Sequence, residues 1–106
     1  MFAEISPTEL NRRRQNGELW QLVDVREPWE VEAASVEGTH CIPMAEIPGR
    51  LGELDRTTPV AVLCHSGGRS ARVAAFLCEN GFEAVANVSG GIDAWSLQVD
   101  AGIPRY

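Results

Sequence analysis

Cys64-His65-Ser66-Gly67-Gly68-Arg69-Ser70 is the stretch of this sequence whose residue types and spacing can do covalent chemistry. The thiol follows the apolar run Val60-Ala61-Val62-Leu63 and precedes a Gly-Gly turn and a helical pattern. That order sets a sulfur at the end of a buried strand, where the backbone N–H groups of a tight glycine loop and a helix N-terminus converge on one point. Such a nest holds an anion without a metal. A free thiol of pKa about 8.5 is only a few per cent ionised at neutral pH. A helix terminus worth at most about 2 kcal/mol lowers that by roughly one and a half units. Direct N–H bonds to sulfur, with Arg69 or His65, must supply any further shift. The pattern therefore predicts a nucleophilic Cys64 in a cradle formed by His65, Ser66, Gly67, Gly68, Arg69 and Ser70. The plainer alternatives are a small buried apolar Cys64, a surface-loop His65 and a helix-capping Ser70.

The distance from Cys64 to Arg69 narrows the cargo. Four residues separate them, whereas cysteine-dependent phosphatases and arsenate reductases space the pair as C-x5-R. A loop one residue shorter is too tight for a tetrahedral oxyanion and suits a single sulfur atom. Cys41 falls in a short strand and Cys78 on the apolar stripe Val73, Ala74, Leu77, Cys78, so both are expected to be packed and inert. Three cysteines without C-x-x-C spacing predict free thiols, and two scattered histidines give no zinc pattern.

Composition excludes several other functions. With 15 acids against 9 bases in 106 residues the formal charge is −6, which repels nucleic acid and anionic membrane surfaces. Every base is Arg and none is Lys, so Schiff-base chemistry and Lys-dependent phosphate loops are out. Residues 1–10 have no basic-then-apolar leader pattern, and no run approaches the roughly 18 apolar residues that would span a membrane. The expectation is one cytoplasmic domain over residues 1–106, with no cofactor.

The loop needs elements to hold it. Ser6-Pro7-Thr8-Glu9 is a capping box that predicts a helix over residues 7–16, stopped at Gly17. Arg12, Arg13 and Arg14 on that helix, and Arg72 further on, read as solvated faces. Apolar runs at 22–25, 41–42, 60–63 and 85–88 alternate with helical patterns from about 28, over 47–54, over 70–79 and through Trp95. Strand then helix, four times, implies an α/β fold with a parallel sheet covered on both faces. Ligands in such folds sit beyond the carboxyl ends of the strands, which selects the loops after Val25, Leu63 and Val88.

Those loops carry three ordered motifs: Leu22-Val23-Asp24-Val25-Arg26-Glu27-Pro28-Trp29-Glu30, Cys64 to Ser70, and Val88-Ser89-Gly90-Gly91-Ile92-Asp93-Ala94-Trp95. Together they strongly resemble the single-domain rhodanese family of thiosulfate sulfurtransferases over nearly the whole chain. The resemblance implies a three-layer fold with about five short parallel strands. It implies that Cys64 carries sulfur as a persulfide, that the amides of His65 to Ser70 bind the persulfide and donor anion, and that Arg69 belongs to the loop. Asp24 and Arg26 are implied to hold the loops in place; a buried, paired Asp24–Arg26 framework is the preferred reading of both, and a site-lining Arg26 is the alternative.

Thiosulfate or a persulfide would be the donor, and a thiol or cyanide the acceptor. The implied cellular partner is a small thiol, a thioredoxin-like protein or a sulfur-carrier protein. A non-catalytic persulfide carrier or partner-binding module is the alternative. The sequence departs from the family at two places. Ala34 to Thr39 replaces the Gly-His that relatives carry before an Ile-Pro-Gly-Ala stretch, and His65 stands where they often have Arg or Lys. A titratable His makes the loop less cationic, which predicts weaker use of thiosulfate and a pH-dependent choice of donor.

Overall fold

In the computed structural model, which describes residues 1–106, Val60–Leu63 is the middle of a five-stranded sheet and all four residues are inaccessible to solvent. A strand covered on both faces has no polar side, hence the continuous apolar run. The elements in chain order are β1 (Ala3–Ile5), α1 (Pro7–Gln15), β2 (Gln21–Asp24), α2 (Pro28–Ala33), β3 (His40–Cys41), a 3-10 segment (Met44–Glu53), β4 (Val60–Leu63), α3 (Gly68–Glu79), β5 (Val85–Val88) and α4 (Gly91–Gln98). The strand order is β1-β5-β4-β2-β3 and every pairing is parallel. This is the three-layer α/β architecture that the alternating pattern predicts.

The two faces of the sheet bury separate cores. Val60, Val62 and Cys64 point to the side of α3 and the 3-10 segment, among Val73, Leu77 and Ile47. Ala61 and Leu63 point to the side of α1 and α4, among Leu10, Ile92 and Trp95. Side chains alternate along a strand, so the thiol is on the α3 side by parity with Val60 and Val62. The register of β2 against β4, with Asp24 opposite Leu63, brings the loop after β2 level with the loop after β4.

Four details depart from the sequence reading. β1 carries no apolar run; it is a three-residue edge strand that joins the sheet only through its pairing with β5. The helix expected at 47–54 is a 3-10 segment containing Pro48, which lacks the N–H an α-helix needs, and it kinks at Arg50. Cys41 is exposed, because β3 is a two-residue strand at the opposite edge of the sheet and neither of its residues is covered. In α1, Ser6 Oγ accepts from the Glu9 N–H at 3.1 Å, but the Glu9 carboxylate turns to Arg12 and Arg13 and leaves the capping box half made. No helix is long and apolar enough to cross a membrane.

Candidate active site

The chain leaves β4 at Leu63, turns through Cys64 to Gly67, and enters α3 at Gly68. The turn closes at Gly67, whose φ of +109° is rarely open to a residue with a side chain. That turn aims the Gly67 N–H at Cys64 Sγ, 3.0 Å away, while Ser70 in the first turn of α3 brings its Oγ to 3.2 Å from the same sulfur. Cys64 is only 1% exposed. Burial is the largest single influence on the thiol and raises its pKa. The Ser70 hydroxyl and the N–H groups of Ser70, Gly67 and Ser66 act against it, and the net effect holds the thiol below its ordinary range.

A second helix N-terminus grips the outside of this loop. The Ile92 N–H donates to the Cys64 carbonyl at 2.8 Å, and the Asp93 N–H to the His65 carbonyl at 3.1 Å. Gly91, at φ +60°, lies so close to those carbonyls that a Cβ there would overlap both. The Gly90-Gly91 pair is thus the surface on which the Cys64 loop rests.

Arg69 lies beside the thiol but directs its guanidinium elsewhere. Its Nη1 and Nη2 donate to the two carboxylate oxygens of Glu30 at 2.6 and 2.8 Å, tying α3 to α2. The Arg69 bonds bring the Glu30 carboxyl down to about 2; burial opposes this, and the Tyr106 hydroxyl and the Glu27 N–H assist. Arg26 is buried below this pair. Its Nε and Nη2 grip Asp24 at 2.9 and 2.7 Å, Nη1 reaches the Glu30 carbonyl at 3.1 Å, and Nη2 also reaches the Ala34 carbonyl at 2.7 Å. Both side chains of the Asp24–Arg26 pair have no solvent exposure. They therefore brace the loop after β2 as a buried pair, the reading preferred from the sequence over a site-lining Arg26. A desolvated pair tolerates burial only when its remaining donors are satisfied, and here they are.

Tyr106 joins these parts. Its ring stacks on His65 with centroids 4.3 Å apart and planes at 14°, and Trp29 meets its edge at 6.0 Å. Its hydroxyl accepts from Arg26 Nη1 and donates to Glu30 Oε2, each at 2.8 Å. His65 is thereby turned onto the rim, and Ser66 beside it is exposed. Of the residues singled out from the sequence, Cys64, Gly67 and Ser70 meet at the sulfur, Gly68 opens α3, and Asp24, Arg26 and Arg69 form the scaffold.

Sequence reasoning passed over Glu30, Asn87 and Tyr106. Glu30 sits inside the first motif, and Asn87 is a lone polar residue in an apolar strand, so each carried a signal; Tyr106 carried none.

With this geometry in place, residues 6–98 match the family model described as the rhodanese-like domain. The chain belongs to that family. It is 44% identical over 90 residues to a rhodanese-like/PpiC domain-containing protein 12, chloroplastic, of Arabidopsis thaliana, which covers 81% of this chain and 30% of that protein. A sulfurtransferase of Allochromatium vinosum is 35% identical over 96 residues, covering 91% of this chain and 90% of the relative. The chain thus spans under a third of the first relative and nearly all of the second. Among solved structures, a rhodanese-like domain protein from Staphylococcus aureus superposes with a TM-score of 0.85 at 32% identity, covering 99% of both chains. The rhodanese-like fold is therefore shared along essentially the full length of the described residues.

Proposed function

We propose that this rhodanese-like chain is a sulfurtransferase that moves a sulfane sulfur through a persulfide on Cys64. The observation that carries the reading is the buried Sγ at the end of β4 with the Gly67 N–H at 3.0 Å and the Ser70 hydroxyl at 3.2 Å. The Cys64 thiolate attacks the outer sulfur of thiosulfate or of a persulfide. The donor's S–S bond breaks, and sulfite or a thiolate leaves with the bonding electron pair. The anionic end of Cys64–S–S⁻ then receives the N–H groups of the loop. A thiol or cyanide acceptor attacks the terminal sulfur and regenerates the thiolate. The chemistry needs no group beyond these residues.

The ion pair between Arg69 and Glu30 bears on the choice of donor. A guanidinium held by both oxygens of a carboxylate adds little net positive potential at the loop mouth. Attraction of a dianionic donor is left to the backbone N–H groups and to His65, so thiosulfate is read as the weaker donor and a small or protein-bound persulfide as the better one. A thioredoxin-like or sulfur-carrier protein suits the acceptor step, with cyanide as the assay substitute.

The test is intact mass after incubation with thiosulfate and, separately, with a thiol persulfide, for the protein and for Cys64→Ser. The expected result is a gain of one sulfur atom by the protein and none by the variant. Uptake by the variant, or label on Cys41 or Cys78, overturns the assignment. Uptake from the persulfide with slow sulfite release from thiosulfate marks a carrier in preference to a thiosulfate enzyme.

A further inference from the structure

The Ser70 hydroxyl carries one proton and faces two acceptors. Cys64 Sγ is 3.2 Å from Ser70 Oγ, and Asn87 Oδ1 is closer still on the other side. Asn87 cannot turn its carboxamide to relieve this competition. Its Nδ2 donates to Glu4 Oε2 at 3.1 Å and Oε1 at 3.3 Å and to the Gly67 carbonyl at 3.3 Å, all of them pure acceptors. Glu4 is itself held by the Ser89 hydroxyl at 2.7 Å. The carboxylate on β1 therefore fixes the amide of β5 with its oxygen toward Ser70. Ser70 and Asn87 are both buried, so the competition is between these two acceptors.

We infer that Asn87 is a positioning residue that decides where the Ser70 proton points, and thereby sets the ionisation of Cys64. In the thiol form, Cys64 S–H donates to Ser70 Oγ and the Ser70 O–H donates to Asn87 Oδ1. When the thiol loses its proton to solvent, the S–H bonding pair stays on sulfur, and the Ser70 O–H must rotate from Asn87 to the thiolate. Asn87 thus opposes ionisation, and the loop's N–H groups favour it. The inference rests on the proposed role of Cys64 as nucleophile, because only there does the thiol's ionisation matter to the reaction.

The charged and titratable groups around the thiol are few. Arg69 on α3 is paired with Glu30 of α2, Asp93 on α4 is paired with Arg105, Glu4 comes from β1, and His65 lies in the loop beneath Tyr106. An Asn87→Ala change removes none of these charges. It also removes the Asn87 bond to the Gly67 carbonyl, and a loosened loop would lose N–H bonds to sulfur and push the thiol up. The proton-competition role and a merely structural role therefore predict opposite signs.

The experiment is a pH titration of thiolate ultraviolet absorbance in a Cys41→Ser/Cys78→Ala background, which needs no reagent to reach the buried sulfur. Asn87→Ala is expected to lower the Cys64 midpoint by about one pH unit, close to a tenfold gain in thiolate below the midpoint. Glu4→Gln, an exposed change that frees the amide to flip without touching the core, is expected to lower it by a smaller amount. Both shifts should shrink to the small through-space effect when Ser70→Ala is added. An unchanged or raised midpoint in Asn87→Ala together with an unchanged one in Glu4→Gln overturns the inference, as does a full shift that survives Ser70→Ala. Sulfur uptake by mass is scored separately, so loss of uptake with these shifts intact would remove the proposed function and leave the coupling standing.

Discussion

Cys64 and Cys41 stand at the same end of the same sheet, one just after β4 and the other closing β3, yet they are in different chemical situations. Beyond Cys64 the chain makes a left-handed glycine turn and starts a twelve-residue helix, and the sulfur gains an N–H and a hydroxyl. Beyond Cys41 come Ile42 and Pro43, the latter without an N–H to give, and the hydrogen-bond contact of that sulfur is a long one, to Thr39 Oγ1 at 3.6 Å. One strand is central and covered on both faces; the other is an exposed two-residue edge. The cysteine alone therefore makes no site. What distinguishes them is the backbone that follows and a second layer of structure that holds it in place.

The largest effect that would break this contrast is at the sulfur itself. Cys64→Ser should abolish persulfide formation while Cys41→Ser leaves it unchanged, as read by mass after digestion; equal labelling at the two positions would erase the distinction. Gly91→Ala comes next, since its Cβ would enter the carbonyls of Cys64 and His65. It should cost about 3 kcal/mol of stability, seen as a lower denaturant midpoint, and the folded fraction should retain sulfur poorly. Ser70→Ala removes one of the two kinds of bond that separate Cys64 from Cys41, and should raise the Cys64 midpoint by about one pH unit in the absorbance titration.

The smallest effect concerns the scaffold. Glu30 is held at about 2 in the folded chain, below the value of about 4.3 for an unfolded Glu. Its folded pKa is depressed, so its stabilisation is present above the unfolded value and is lost as pH falls from about 5 toward 2. Glu30→Gln should lower stability by about 1 kcal/mol at neutral pH after allowance for the partly exposed Arg69, and should flatten the acid limb of stability against pH. An unchanged acid limb would mean that the ion pair does not hold the loop after β2 to α3.

How much of this was legible depends on how local each signal was. The Cys64 loop could be read because thiol, glycines and helix start lie within seven consecutive residues, and the parallel sheet because β4 is an unbroken apolar run and β2 and β5 repeat short, largely buried strands between helical patterns. β1 was silent: an edge strand of three residues has no buried face to leave a pattern. The same fact misled the reading of Cys41, since a strand buries its side chains only where other layers cover it. Pro48 could have warned against an α-helix at 47–54. The partnership of Tyr106 with Arg26 joins residues 80 positions apart, and no spacing rule reaches that far. The role of Arg69 depended on its pairing with Glu30, 39 positions away, and the motif that holds Glu30 does not say which base it meets.

The grip of α4 on the outside of the loop has a mechanical corollary. A peptide group is a rigid plate, so fixing its carbonyl edge also fixes the direction of its N–H edge. The plate between Cys64 and His65 is pinned through the Cys64 carbonyl by Ile92, and the plate between His65 and Ser66 through the His65 carbonyl by Asp93. The Ser66 N–H, one of the groups that lower the thiol's pKa, is aimed by this second pin. The sulfur is thus governed by two helices, one that touches it and one that steers the plates between them. A shift in the first turn of α4 would reach the thiol without any α4 atom coming near it.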